Sequence, residues 1–155
     1  MESKFMKAVV AGIVATAVMT VVGVTAPYMG LPKMNPAEML SGMLGVSPAM
    51  GWIMHFMIGI IFASTYVYWF DPKVKINSKF WKGIVFGFAV FVFAQIMLFL
   101  MSKVLPPPPD SPETNMALMM IGSLIGHFVY GVFVAWTVGW VSKESHSGHR
   151  TVGSH

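Results

Sequence analysis

The chain alternates long apolar blocks with short polar segments, and four of the blocks are long enough to cross a bilayer. A transmembrane helix needs about 20 mostly apolar residues. The pattern predicts membrane spans at residues 6–27, 48–70, 80–102 and 112–142. We therefore expect an all-α integral membrane four-helix bundle that forms one domain, followed by a flexible tail over residues 143–155.

Capping residues and prolines mark the breaks between these spans. Ser47–Pro48 and Ser111–Pro112 each combine a helix N-cap with a proline in the first turn. Asp71–Pro72 is expected to end the second span, because proline inside a helix clashes with the carbonyl four residues earlier. Between spans one and two, residues 35–45 carry an N-cap asparagine, a first-turn proline and a final glycine. They predict a short helix on the bundle's outer surface.

Composition and charge agree with a membrane protein and suggest its orientation. Hydrophobic residues make up 55% of the chain and charged residues 10%, whereas soluble domains carry about 25% charged residues. Most of the ten Lys and Arg residues precede span one, lie between spans two and three, or follow span four. This predicts a cytoplasmic (inner) membrane protein with both termini cytoplasmic. Because the basic residues are spread over short loops, we expect lipid and other membrane subunits as partners, and no nucleic acid.

Spans two and four share a motif at an offset of 72 residues, in which a small residue, His-Phe and a glycine recur at helical spacing. The matched pairs are Gly51 and Ser123, His55 and His127, Phe56 and Phe128, and Gly59 and Gly131. Spans one and three match more weakly at an offset of 75, with Gly12 opposite Gly87. The repeat predicts two tandem helical hairpins related by an axis along the membrane normal.

The polar groups inside the predicted spans are few. At membrane depth, away from the ends of the spans, they include no Asp, Glu, Lys or Arg; His55, His127, Gln95 and several hydroxyls remain. This inventory disfavours carboxylate proton relays, di-iron sites and hydrolytic acid–base pairs. The chain also has no cysteine, which excludes disulfides and thiolate metal sites. An electron carrier or a non-catalytic subunit fits these residues better than an enzyme does.

The two histidines fit one cofactor class, since haem iron needs only two axial ligands. Both lie 16 residues before the charged end of their helix, on helices that are diagonal partners in a sequentially wound bundle. They predict a haem-b-type electron-transfer protein, or a redox-complex subunit, with His55 and His127 as the iron ligands. Gly51, Gly59, Ser123 and Gly131 are then expected to clear a groove for the porphyrin, with the two phenylalanines of the motif beside it.

Three other interpretations stay open at this stage. Small residues at helical spacing also drive close helix packing without any cofactor, and a histidine on such a face can bond a Ser, a Thr, Gln95 or a backbone carbonyl. That interpretation predicts a cofactor-free structural or assembly subunit. The fifteen methionines suggest a copper-handling protein, because thioethers select Cu(I). A small transporter of uncharged substrates is the third.

One resemblance adds to this interpretation. The stretch from Gly30 to Leu40, followed by the stretch from Gly51 to Gly59, resembles a family of small, uncharacterised bacterial four-helix integral membrane proteins, a domain of unknown function. The resemblance implies the four-span architecture over most of the chain. It implies no role for any residue, so the haem hypothesis depends on residue placement alone.

Overall fold

Four long helices and one short one form the bundle in the part of the chain that the structure describes. A computed structural model describes residues 3–105 and 115–147, and within these ranges it contains helices and no strand. The helices are α1 (Lys4–Thr25), α2 (Pro36–Leu44), α3 (Pro48–Thr65), α4 (Lys79–Val104) and α5 (Met116–Ser147). Four helical stretches are long and apolar enough to cross a membrane, namely Lys4–Met29, Pro48–Lys73, Lys79–Val104 and Met116–Ser142. The predicted all-α membrane four-helix bundle is confirmed.

Side-chain caps set where the long helices begin. Ser47 accepts the Met50 amide at 3.3 Å, as its position before Pro48 predicts. Helix α5 begins later than predicted: Asn115 caps it by accepting the amides of Ala117 and Leu118, and the predicted cap Ser111–Pro112 lies outside the described residues. At its other end α5 continues to Ser147, so the first residues of the predicted tail are helical. The rest of that tail also lies outside the described residues.

Pro72 does not end the second span, contrary to the sequence-based expectation. After α3 the chain makes a wider π-type turn over Tyr66–Phe70 and then an α-helical turn over Asp71–Lys73. The Asp71 amide bonds the Tyr66 carbonyl, five residues back rather than four. This wider turn changes the local geometry in which a proline ring would otherwise meet the carbonyl four residues earlier. The span therefore runs one turn past its predicted end.

The four long helices are wound in sequential order. Helix α1 packs against α3 and α5, and α4 packs against α5. Helices α3 and α4 meet through aromatic side chains, with ring centroids 5.4 Å apart for Phe62 and Phe93 and 5.0 Å apart for Tyr66 and Phe86. The order α1–α3–α4–α5 leaves α3 and α5, the two histidine helices, on one diagonal.

The matched glycines of the repeat lie where the two helices of each hairpin cross. In the first hairpin, a Cβ atom on Gly59 would lie 3.5 Å from the Gly12 carbonyl oxygen. In the second, a Cβ on Gly131 would lie 2.6 Å from the Gly87 amide nitrogen. Small residues let helix backbones approach this closely. The repeat therefore corresponds to two hairpins that use the same pair of glycines as their contact.

Candidate functional site

His55 is held in the interior between α3 and α1. The residue is 7% exposed, and its Nε2 lies 3.0 Å from Oγ1 of Thr20. The Thr20 hydroxyl donates its single hydrogen to the Thr16 carbonyl at 2.8 Å. The imidazole must therefore donate through Nε2 to Thr20, which leaves Nδ1 as the unprotonated ring nitrogen. The hydrogen bond joins the two helices of the first hairpin.

His127 takes the opposite tautomer. Its Nδ1 lies 2.7 Å from the backbone carbonyl of Ser123, which only accepts hydrogen bonds. The hydrogen is therefore on Nδ1, and Nε2 carries the lone pair. The ring stands edge-on to Phe91 of α4, with centroids 5.8 Å apart. Gln95, also on α4, donates to the Ser123 hydroxyl at 3.3 Å, so this polar group joins the helices of the second hairpin.

The glycines of the motif, which were predicted to clear a groove, lie against neighbouring helices. A Cβ on Gly51 would meet the Ala37 carbonyl of α2, and one on Gly59 would meet the Thr16 side chain of α1. A Cβ on Gly131 would meet the backbone of α4. Each glycine is in contact with a neighbouring helix because the missing side chain lets that helix approach, which removes the space that a porphyrin requires.

The remaining predicted residues are likewise engaged in packing. The ring centroid of Phe56 lies 6.3 Å from that of Trp52 and 5.9 Å from that of His55, and both rings are on the same helix as Phe56. The ring centroids of Phe128 and Phe88 of α4 lie 6.5 Å apart. Neither contact joins the two histidine helices across the diagonal.

A tyrosine bridges that diagonal close to the histidines. The buried Tyr130 of α5 donates to the Gly59 carbonyl of α3 at 2.5 Å. Gly59 lies one turn beyond His55, and Tyr130 lies three residues beyond His127, both toward the lysine-rich end of the bundle. A porphyrin between the imidazoles would extend into this bridge, since its plane reaches about as far as one helical turn. The interior of the bundle therefore does not fit a porphyrin.

The arrangement can offer a metal only two nitrogen ligands. Within residues 3–105 and 115–147, no group of three or more His, Cys, Asp or Glu side chains lies together. Two of the methionines fill space beside glycines: Met34 lies against Gly122, and the Met19 Cε lies 3.5 Å from where a Cβ on Gly126 would be. Flexible thioether side chains commonly fill such gaps.

Thr16, Thr20 and Tyr130 are among the hydroxyls inside the predicted spans, and the sequence alone does not indicate their contacts. Thr16 and Thr20 are four residues apart, so they share one face of α1, and that spacing was the available signal. It did not indicate which helix the face would meet.

Comparison with known proteins places the chain in a family. Residues 2–149 match a family described as "Family of unknown function (DUF6789)". The chain belongs to this family. The match confirms the resemblance noted from the sequence, and the DUF6789 description assigns no activity, ligand or site residue. No curated protein and no solved structure matches the chain.

Proposed function

We propose that this DUF6789 protein is a non-catalytic subunit of a larger membrane assembly, a four-helix scaffold that binds no cofactor of its own. One observation carries the proposal: the residues that the repeat singles out are used for contacts between helices. His55 bonds Thr20 of α1, and Gly59 and Gly131 each touch the backbone or side chains of a neighbouring helix. The motif thereby has a structural use in both hairpins.

The energetics of the bilayer support this use. A polar side chain that faces hydrocarbon without a partner is costly, and an interhelical hydrogen bond in a membrane contributes about 0.6 kcal/mol on average and up to about 1.7. Two histidines, Gln95 and Tyr130 are all hydrogen-bonded within the bundle. His127 bonds the backbone of its own helix, whereas the bonds of His55, Gln95 and Tyr130 join different helices and fix one register between them. A fixed register gives a scaffold a defined surface.

The proposal includes a location and partners. We infer that the protein lies in the cytoplasmic membrane with both termini in the cytoplasm, because short loops enriched in Lys and Arg face that side. The lipid bilayer and other membrane subunits, of a respiratory or redox complex, are the partners; no role with nucleic acid is proposed.

A second candidate, the haem-b-type electron carrier, is favoured by the tautomers alone. Metal-ligating histidines commonly donate one ring N–H to a protein oxygen and ligate through the other nitrogen. His127 donates its Nδ1 hydrogen to the Ser123 carbonyl, so its Nε2 is the nitrogen that could bind a metal. His55 donates through Nε2 to Thr20, so its Nδ1 is the corresponding nitrogen. Haem would have to break the Tyr130–Gly59 bond and separate the glycine contacts, so this candidate ranks below the scaffold.

One experiment separates the two candidates. The protein is expressed with ample haem and purified in detergent, and its absorption is recorded oxidised and then dithionite-reduced, beside His55→Ala and His127→Ala. A scaffold shows no stoichiometric haem bands. Bands of six-coordinate haem that disappear in both variants would establish the electron carrier instead.

A second experiment tests the subunit role itself. The tagged protein is purified from its native membrane in a mild detergent, and its partners are identified and quantified. A stoichiometric membrane partner is expected. A protein that purifies alone, at its monomer mass, would overturn the proposal.

A further inference from the structure

A cavity of about 200 Å³ lies at the lysine-rich end of the bundle, between the end of the second span, the start of α4 and the last turns of α5. Its polar lining consists of Tyr66, Asp71, Asn77, Lys79, Lys82 and Ser142. None of its lining residues belongs to the repeated histidine–glycine motif named above as His55, Gly59, His127 and Gly131.

The charges around the cavity do not cancel. Lys82 is paired, since its Nζ lies 2.8 Å from Asp71 Oδ1 and 3.3 Å from the Asp71 carbonyl oxygen. The Lys7 amine of α1 donates to the Ser142 hydroxyl at 2.9 Å, a neutral acceptor. Among the described residues, the ion pairs are Lys82 with Asp71 and the remote Lys33 with Glu38. Among the described side chains at the cavity, Asp71 is the acidic group, whereas Lys79 and Lys82 line the cavity and Lys7 reaches it through Ser142, so these described groups carry a net positive charge.

Gly139 positions one of these amines. A Cβ on Gly139 would collide with the Nζ of Lys79 and lie 2.6 Å from its Cε. The side chain of Lys79 therefore lies across the surface of α5 at the glycine, which directs its amine toward the cavity instead of away from the bundle.

Neighbouring aromatic residues set the depth of the cavity in the membrane. Trp69, Trp81 and Trp140 are each about 60% exposed and lie near the same ends of the second, third and fourth spans. Exposed tryptophans of this kind are typical of the level of the lipid headgroups. The cavity therefore lies where the phosphates of one leaflet lie.

We propose that this cavity binds the phosphate of an anionic phospholipid from the adjacent leaflet. Lys7 and Lys79 supply the charge, and the Asn77 side-chain amide offers hydrogen bonds to phosphate oxygens. Basic pockets between transmembrane helices are suited to such headgroups. The same chemistry would recognise free inorganic phosphate, but the position at headgroup depth favours the lipid as its source.

The test uses native mass spectrometry of the full-length protein released from detergent micelles. Phosphatidylglycerol is titrated in, with zwitterionic phosphatidylcholine as the comparison lipid. We expect one retained phosphatidylglycerol per protein and no comparable retention of phosphatidylcholine. The double variant Lys7→Gln/Lys79→Gln is expected to bind about 30-fold more weakly, from the loss of two amines near the headgroup.

A matched control removes the same charge elsewhere at this end. Lys73→Gln/Lys75→Gln changes two lysines of the loop that do not line the cavity, and it should bind as the wild type does. Equal weakening in both double variants would overturn the proposal, because it would show attraction to overall charge alone. Unchanged binding in Lys7→Gln/Lys79→Gln would overturn it as well.

Two further arms keep the test decisive. Gly139→Ala retains every charge but displaces the Lys79 amine, so it should weaken binding even if the double variant fails to fold; unchanged binding would contradict the site. Inorganic phosphate is added alone at increasing concentration. If it binds with the same dependence on Lys7 and Lys79 and displaces the lipid, a lipid source is overturned and the site is one for a free anion.

Discussion

The glycine contacts can be tested by adding one methyl group to the crossing of α4 and α5. In Gly131→Ala, the new Cβ would lie 2.6 Å from the amide nitrogen and 2.7 Å from the Cα of Gly87, where ordinary contact begins at 3.4 Å. The opposing atoms are backbone, so they cannot rotate away. The Gly83 carbonyl oxygen lies closer still to the new Cβ, so the helices must separate locally by at least about 0.8 Å.

The cost of this separation follows from lost contact. A gap of 0.5–1 Å forfeits about a quarter to a half of each van der Waals contact across the interface, and overpacking a close-packed site costs about 1–3 kcal/mol. Alanine also gains up to about 1 kcal/mol over glycine in a helix. We therefore expect a net loss of about 1–2 kcal/mol in the free energy of unfolding.

Gly126→Ala is the matched control, since it is the same substitution on the same helix. Its Cβ would lie 3.5 Å from the Met19 Cε, an ordinary contact with a flexible side chain. It should be neutral or stabilising by up to about 1 kcal/mol. The assay is reversible unfolding of both variants in mixed detergent and dodecyl sulfate micelles, followed by circular dichroism.

The comparison refutes the reasoning if the two variants have the same stability, or if Gly131→Ala is the more stable. Either result would mean that the crossing of α4 and α5 is not held at backbone contact. The interior space predicted from the sequence would then have to be reconsidered.

Three further predictions use other polar positions. Thr20→Val should lower the free energy of unfolding by about 1 kcal/mol, because it removes the interhelical bond to His55. Thr16→Val should be neutral or stabilising, because Thr16 Oγ1 is buried without a hydrogen-bond partner among the described residues. Equal effects of the two variants in the unfolding assay would contradict both bonding assignments. Tyr130→Phe should lower the unfolding free energy by about 1 kcal/mol, and an unchanged midpoint would count against its bridge. The orientation is tested with the variants Lys75→Cys and Tyr28→Cys and a membrane-impermeant maleimide. Lys75→Cys should react from the cytoplasmic side and Tyr28→Cys from the outer side. The reverse pattern would mean that the topology is inverted.

The architecture was predictable because its signals are local. Apolar block length fixes the spans, and caps such as Ser47 act within one turn of themselves. Pro72 was misjudged for a related reason: whether proline ends a helix depends on the turn before it, and the π-type turn over Tyr66–Phe70 has no clear signature in the sequence.

The site was less predictable, because the same pattern serves two purposes. Glycines one turn from a histidine can open a groove or admit a neighbouring helix, and only the position of that helix distinguishes the two. Gly59 meets Thr16 and Gly131 meets Gly87; both contacts join residues far apart in the chain. His55 bonds a threonine and His127 a backbone carbonyl, as the cofactor-free interpretation of the motif predicts.

We propose that the repeated histidine–glycine motif holds the hairpins together and binds no porphyrin. The most direct test is a hemin titration of the purified protein, followed by reduced-minus-oxidised absorption spectra and compared with the double variant His55→Ala/His127→Ala. The account predicts the same weak, non-saturating signal from both proteins. Saturation at one haem per wild-type chain, with six-coordinate bands that the double variant lacks, would contradict it.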